Sequence, residues 1–492
     1  MPIKNMRPLR LLRASSLAAA LSAVTFVLIA IRATRSADAY WDSLAYHWPF
    51  AARIAGICDR DCFLMPPGYE NRYDGFPKLW HALQGLLWKV TGTPAVADLL
   101  SITMAILLCL YLLRRFQVPV TWSWLALIAI PEVQIQLTSS YVDLPLNLAI
   151  TLSLMVLLRL TFEPDANNRI DVAIALLGLA IAANSKSQLV VVCLIIWTVI
   201  VIVVARKPST IRWRRPAATA VALLAVGATA LLPQYLLNLR TFGNPFYPIA
   251  VHIGPITLPG PEPMMQTASI SDARLSWPSA ARWLASVLEF DAFRGRPLPW
   301  TLDQGDVPQS SPSFRMGGYF VPYVLGALSL VLCRVRSLPR AAGVRIGLAV
   351  GAASIVCASL PLSHELRYYM FWMLSLVCSM LALVHSPLFA SPDQFEHRSV
   401  SRALVAISAV SVILMTGADY VRTSAPTLRD LIAPTNHAVA DIPDGATLCI
   451  LNHHPGAFLY AEPFHPGRRY RTHVLWSDEP ADCTKRLDIP LQ

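Results

Sequence analysis

The sequence predicts an all-α polytopic membrane protein with a large first outer loop and a small α/β-like C-terminal tail. Three observations carry that prediction. Of 492 residues, 55% are hydrophobic and only 14% are charged, whereas a soluble protein carries about a quarter charged residues. The mean hydropathy is +0.48. Apolar runs of about 17–25 residues, long enough to cross a bilayer core of about 30 Å, recur along the chain.

The runs place spans near 14–31, 95–113, 118–138, 143–161, 170–185, 187–205, 217–236, 317–333, 344–362, 367–385 and 402–420, about eleven in all. The first follows a basic start, as a signal peptide would, but no convincing small-residue cleavage site precedes the polar loop behind it, so a retained helix is expected. The stretch 76–91 mixes Lys78, His81, Gln84 and Lys89 with Leu and Trp. It reads as an amphipathic helix lying at the membrane surface.

The net charge of +11 does not indicate nucleic acid. Its basic residues form short clusters between spans, at Lys4–Arg13, Arg114–Arg115, Arg206–Arg215 and Arg334–Arg345. That is the positive-inside pattern, and it points to contact with anionic membrane lipid. With those clusters inside, the outer face receives a first loop at about 32–94, a long Pro- and Gly-rich loop at about 237–316, and the tail from 421. The organisation is a transmembrane unit, 1–420, and a small extracytoplasmic region, 421–492. In the latter, 447–451 and 472–476 read as strands.

Cys109, Cys193, Cys333, Cys357 and Cys378 lie in apolar spans as small hydrophobes. Cys58 and Cys62 share the first loop, and Cys449 and Cys483 the tail. Each pair is a disulfide if its compartment is oxidising and two free thiols if it is not. His453, His454, His465 and His473 have no established zinc spacing and read as solvent-exposed. No phosphate-loop, dinucleotide or Gly-x-Ser-x-Gly signature is present.

The same topology puts Asp42, Asp74, Asp143, Lys186, Arg240, His364, Glu365 and Arg367 on one face at span ends. Ionisable groups near membrane depth are costly and face a cavity or a partner. A polar cavity of this kind serves an enzyme, or equally a transporter or a flippase of lipid-linked sugars. Transporters usually show paired repeats and broken helices at the midplane, and here the polar groups sit at span ends.

The pattern Asp42-x-x-x-Tyr46-His47-x-Pro49, an acidic residue at Asp74, and an aromatic amphipathic helix resemble the first outer loop of GT-C glycosyltransferases. The branch containing protein O-mannosyltransferases and the aminoarabinose transferase of lipid A is the most similar. Tyr141-Val142-Asp143-Leu144-Pro145, Asn238-Leu239-Arg240 through Pro248, and Arg367-Tyr368-Tyr369 extend the resemblance over about 15–420. It implies an integral protein of the bacterial inner (plasma) membrane with its site facing the periplasm. The implied reaction moves a sugar from a polyprenyl-phosphate donor to a glycan, lipid or protein hydroxyl, with inversion.

The chemistry fits those residue types. A hydroxyl nucleophile needs a base, and Asp42 is the expected one, with Asp74 orienting a substrate. The departing phosphate needs cations, for which Lys78, Lys186, Arg240 and Arg367 are candidates. His47 and His364 are further donor contacts, and Asp143 contributes to the cavity. Asp42 and Asp74 also form a possible divalent-cation (Mg or Mn) site with oxygen ligands.

Overall fold

The computed structural model describes residues 7–38, 41–163, 169–206, 216–263, 277–288, 318–389, 426–451, 455–475 and 482–488. The predicted span at 402–420 and the histidines His453 and His454 lie outside them. Ten predicted spans coincide with helices. α1 runs Arg7–Arg35, α5 Leu99–Phe116, α8 Asp143–Phe162, α9 Arg169–Ala183 and α10 Val190–Arg206. α13 runs Ser279–Val287, α14 Val321–Ser337, α15 Arg340–Ser359 and α16 Phe371–His385.

Two expected spans are broken, and proline is the reason for both. The run 118–138 splits into α6 (Val120–Ile128) and α7 (Pro131–Gln136), with Pro131 at the first turn of the second helix. The run 217–236 becomes α11 (Pro216–Leu231) and α12 (Pro233–Phe242), bent by 64° at Pro233. Proline has no N–H for the preceding turn, and its ring clashes with the carbonyl four residues back. Among the described residues, five helices are long and apolar enough to cross a membrane, or six with the bent pair. Helix length and composition therefore support about half the eleven spans expected.

The described residues of the first loop form short helices. A π-helical turn at Ser43–His47 leads into α2 (Trp48–Ile54), followed by α3 (Pro67–Gly75) and α4 (Leu79–Thr91). The amphipathic helix expected at 76–91 is α4, which buries Trp80, His81, Gln84 and Trp88. Gly85 lets α2 pack close: a Cβ there would lie 2.3 Å from the carbonyl oxygen of Ala51.

After α12, β2 (Val251–Ile253) and β3 (Ile256–Leu258) pair as an antiparallel hairpin. The tail does not stand apart from the first loop. α17 (Leu428–Val439) precedes β4 (Thr447–Leu451), β5 (Arg471–Val474) and β6 (Lys485–Asp488). These strands join β1 (Phe63–Leu64) of the first loop in one sheet, ordered β1-β5-β4-β6 with every pair parallel. Trp48, Phe63, Trp88, Leu448, Phe458 and Phe464 fill one core beneath it. The helical bundle has a second core of its own. Cys58 is bonded to Cys62 and Cys449 to Cys483, which settles the alternative the sequence left open.

Candidate functional site

α8 is about 30 Å long by its 20 residues, so its two ends mark two faces. At one, Asp171 receives Arg159 and, at 3.1 Å, Arg115. At the other, Asp143 opens the helix, and Lys186, in the turn between α9 and α10, donates to its carboxylate. Asn147 ties this end to the 366–369 turn that precedes α16. Its amide donates to the carbonyls of Asp143 (2.8 Å), Arg367 (3.2 Å) and Tyr368 (3.3 Å), while its oxygen takes the Phe371 N–H (2.9 Å). Gln136 accepts the Leu144 N–H at 2.8 Å and donates to buried Glu132 at 2.6 Å. The start of α8 is thereby held from two sides.

That scaffold aims Arg367 at the first outer loop. Its Nη1 lies 2.9 Å from Asp42 Oδ2, Nη2 donates to the Tyr368 hydroxyl at 3.3 Å, and Nε is 3.6 Å from Glu365. The side chains of Arg367 and Asp42 are 10% and 20% exposed, so the pair is sheltered yet reachable. Asp42 and Glu365 supply the negative charge opposite the Arg367 guanidinium. Lys186 sits 3.9 Å from the centroid of the Tyr368 ring, a cation–π contact. Burial pulls its ammonium below the usual lysine range, against the opposing pull of Asp143.

Behind Asp42, the Nδ1 of His47 and the Nε2 of His81 share a hydrogen bond of 2.8 Å. Burial, then His81, Lys186 and Arg367, push His47 well below the ordinary histidine value. Burial, with Lys78 and Lys186, brings His81 down to about 3. Both rings are neutral at pH 7, so one proton lies between the two facing nitrogens.

Of the residues named from sequence, Asp42, His47, Asp143, Lys186 and Arg367 therefore meet at one end of the bundle. His364 is buried in the same turn, its carbonyl taking a 2.8 Å bond from Ser286. Asp74, Lys78 and Arg240 stand at the margin. Asp74 is exposed at the end of α3. Lys78 donates to the carbonyls of Tyr73 and Phe76 (3.1 Å to the latter) and caps that helix. Arg240 is exposed, two residues beyond Asn238, whose amide reaches the Gly75 carbonyl at 2.8 Å.

Asp42 takes an arginine, and among the described residues no three His, Cys, Asp or Glu side chains converge to hold an ion. Sequence reasoning passed over Asn147, Glu132 and Gln136. Their signal was available: polar side chains inside or beside apolar runs are costly unless they are bonded.

An aromatic loop of short helices, a bundle of apolar helices and paired ions at one end make up a fold shared with a solved structure. ArnT from Cupriavidus metallidurans in the apo state is similar with a TM-score of 0.53 and 14% identity, over 95% of this chain and 87% of that one. ArnT from the same organism bound to undecaprenyl phosphate gives 0.49 and 13%, over 93% and 89%. The chain matches no protein-family model and no curated protein.

Proposed function

We propose that the protein transfers a sugar from a polyprenyl-phosphate donor to an acceptor hydroxyl at the extracytoplasmic face of the membrane. The observation that carries this reading is the adjacency of two sheltered ion pairs, Asp42–Arg367 and Asp143–Lys186, at one membrane-side end of an ArnT-type fold. The two disulfides in the first loop and the tail support an oxidising compartment on that side.

The donor phosphate sits against Lys186 and Arg367. Arginine has five N–H donors, and the contacts to Asp42 and Tyr368 leave some for phosphate oxygens. The acceptor hydroxyl attacks the anomeric carbon from the face opposite the phosphate. Its proton passes to Asp42 as the new C–O bond forms. The old C–O bond breaks with its electron pair on the phosphate oxygen, where charge grows and the two cations bind more strongly. Direct displacement inverts the anomeric centre. Asp74 and Arg240, exposed at the margin, suit contacts to the acceptor or to the remoter part of the lipid head.

Mass spectrometry of lipid that co-purifies with the protein tests the donor, followed by turnover with candidate glycan, lipid and protein acceptors. Recovery of a polyprenyl-phosphate sugar that is consumed on adding an acceptor is the expected result. A protein that binds no such lipid and consumes none would overturn the reading.

A further inference from the structure

We infer that Asp38, four residues before the proposed base, is a positioning residue for Asp42, acting through Ser43 and Ser140; this rests on the function proposed above. The Oδ2 of Asp38 accepts from the hydroxyl of Ser43, the residue next to Asp42. The same oxygen accepts the backbone N–H of Ser140 at 2.7 Å. Ser140 precedes Tyr141, whose ring lies 5.4 Å from the guanidinium of Arg367, the partner of Asp42. One carboxylate oxygen thus fixes both chain segments that flank the base.

Ser140 is the knot of this arrangement, and each of its polar atoms is used. Its hydroxyl donates to Asp98 at 3.1 Å and accepts from Trp48 Nε1 at 2.8 Å. Its carbonyl accepts from Gln84 at 2.8 Å. Asp38, Ser43, Asp98 and Ser140 are all buried. A buried carboxylate that accepts two such bonds is costly to misplace, because each donor loses its partner with it. The network therefore ties the end of α1, the π-turn, α2, α4 and the turn before α8 to one point.

The test compares Ser43→Ala, Asp38→Ala and Asp38→Asn in full-length purified protein, reading kcat and the donor KM separately. A small displacement of a reacting group is enough to cost orders of magnitude in rate. Ser43→Ala is expected to lower kcat about tenfold with donor KM within about twofold, because the phosphate-binding cations keep their places. Asp38→Asn, which retains an acceptor oxygen, is expected to keep more turnover than Asp38→Ala. Wild-type kcat in a folded Ser43→Ala protein would overturn the positioning role and leave the proposed function standing. Should Asp38→Ala not fold, Ser43→Ala still decides, since it leaves the Asp38–Ser140 bond in place. Absence of transfer by the wild-type protein would instead remove the functional reading, and this role with it.

Discussion

Arg367 Nη1 and Asp42 Oδ2 are 2.9 Å apart although 325 residues separate them in the chain. Each side chain satisfies the other's charge in a setting that is mostly closed to water. Removing one partner from such a pair leaves the other stranded, at a cost of about 3 kcal/mol or more when both are buried.

Arg367→Ala is therefore expected to lower both thermal stability and donor affinity. Arg367→Lys keeps the charge but not the planar fork, and a lysine does not serve Asp42, Tyr368 and a phosphate together. Thermal unfolding in detergent with a donor-binding titration checks this. Wild-type affinity in Arg367→Lys would mean that the phosphate does not rest on the guanidinium.

Lys186 supplies a pH-dependent test. Burial lowers its affinity for a proton, and Asp143 opposes that effect. In Asp143→Asn the opposition is gone, so Lys186 loses its proton at a lower pH than in the wild type. The expected outcome is a donor KM that rises toward alkaline pH, with the rise starting earlier in Asp143→Asn. Lys186→Arg stays charged and is expected to flatten that limb. Steady-state kinetics from pH 6 to 10 in the three proteins measure it.

The His47–His81 pair predicts acid sensitivity. His81 binds a proton only near pH 3 when folded, against about 6.5 for an unfolded histidine. Between those values the unfolded chain takes up a proton that the folded chain refuses. Stability is therefore complete above about pH 6.5 and is lost as pH falls toward 3. At pH 5 the loss from His81 is about 2 kcal/mol. Unfolding of the wild type and His81→Asn at pH 7 and pH 5 is expected to show a smaller acid loss in the variant. An equal loss in both would assign the sensitivity elsewhere.

Much of this was legible in the sequence because a bilayer writes long, simple signals. Eight apolar runs located single helices and two located broken pairs, and the mixed run around Lys78 and Lys89 located α4. The β-like run at 447–451 located β4. What stayed hidden was long-range and polar. Nothing local says that β1, a two-residue strand in the first loop, pairs with β5 some 400 residues later. Pro131 and Pro233 sit inside runs whose hydropathy alone reads as unbroken, so the breaks were lost in the average. The site was half legible. Asp42, Asp143, Lys186 and Arg367 stand at span ends where charge is conspicuous, but their pairing depends on helix packing. Lys78 is conspicuous in sequence, but that its ammonium donates to the carbonyls of Tyr73 and Phe76 depends on how α3 ends.

Asp42→Asn measures the central claim most directly. The amide keeps the size of the carboxylate and an acceptor for Arg367, but it cannot take a proton from the acceptor hydroxyl. In purified protein supplied with a polyprenyl-phosphate sugar and its acceptor, turnover is expected to fall at least a hundredfold, with donor binding largely retained. Undiminished turnover in that variant would contradict the account.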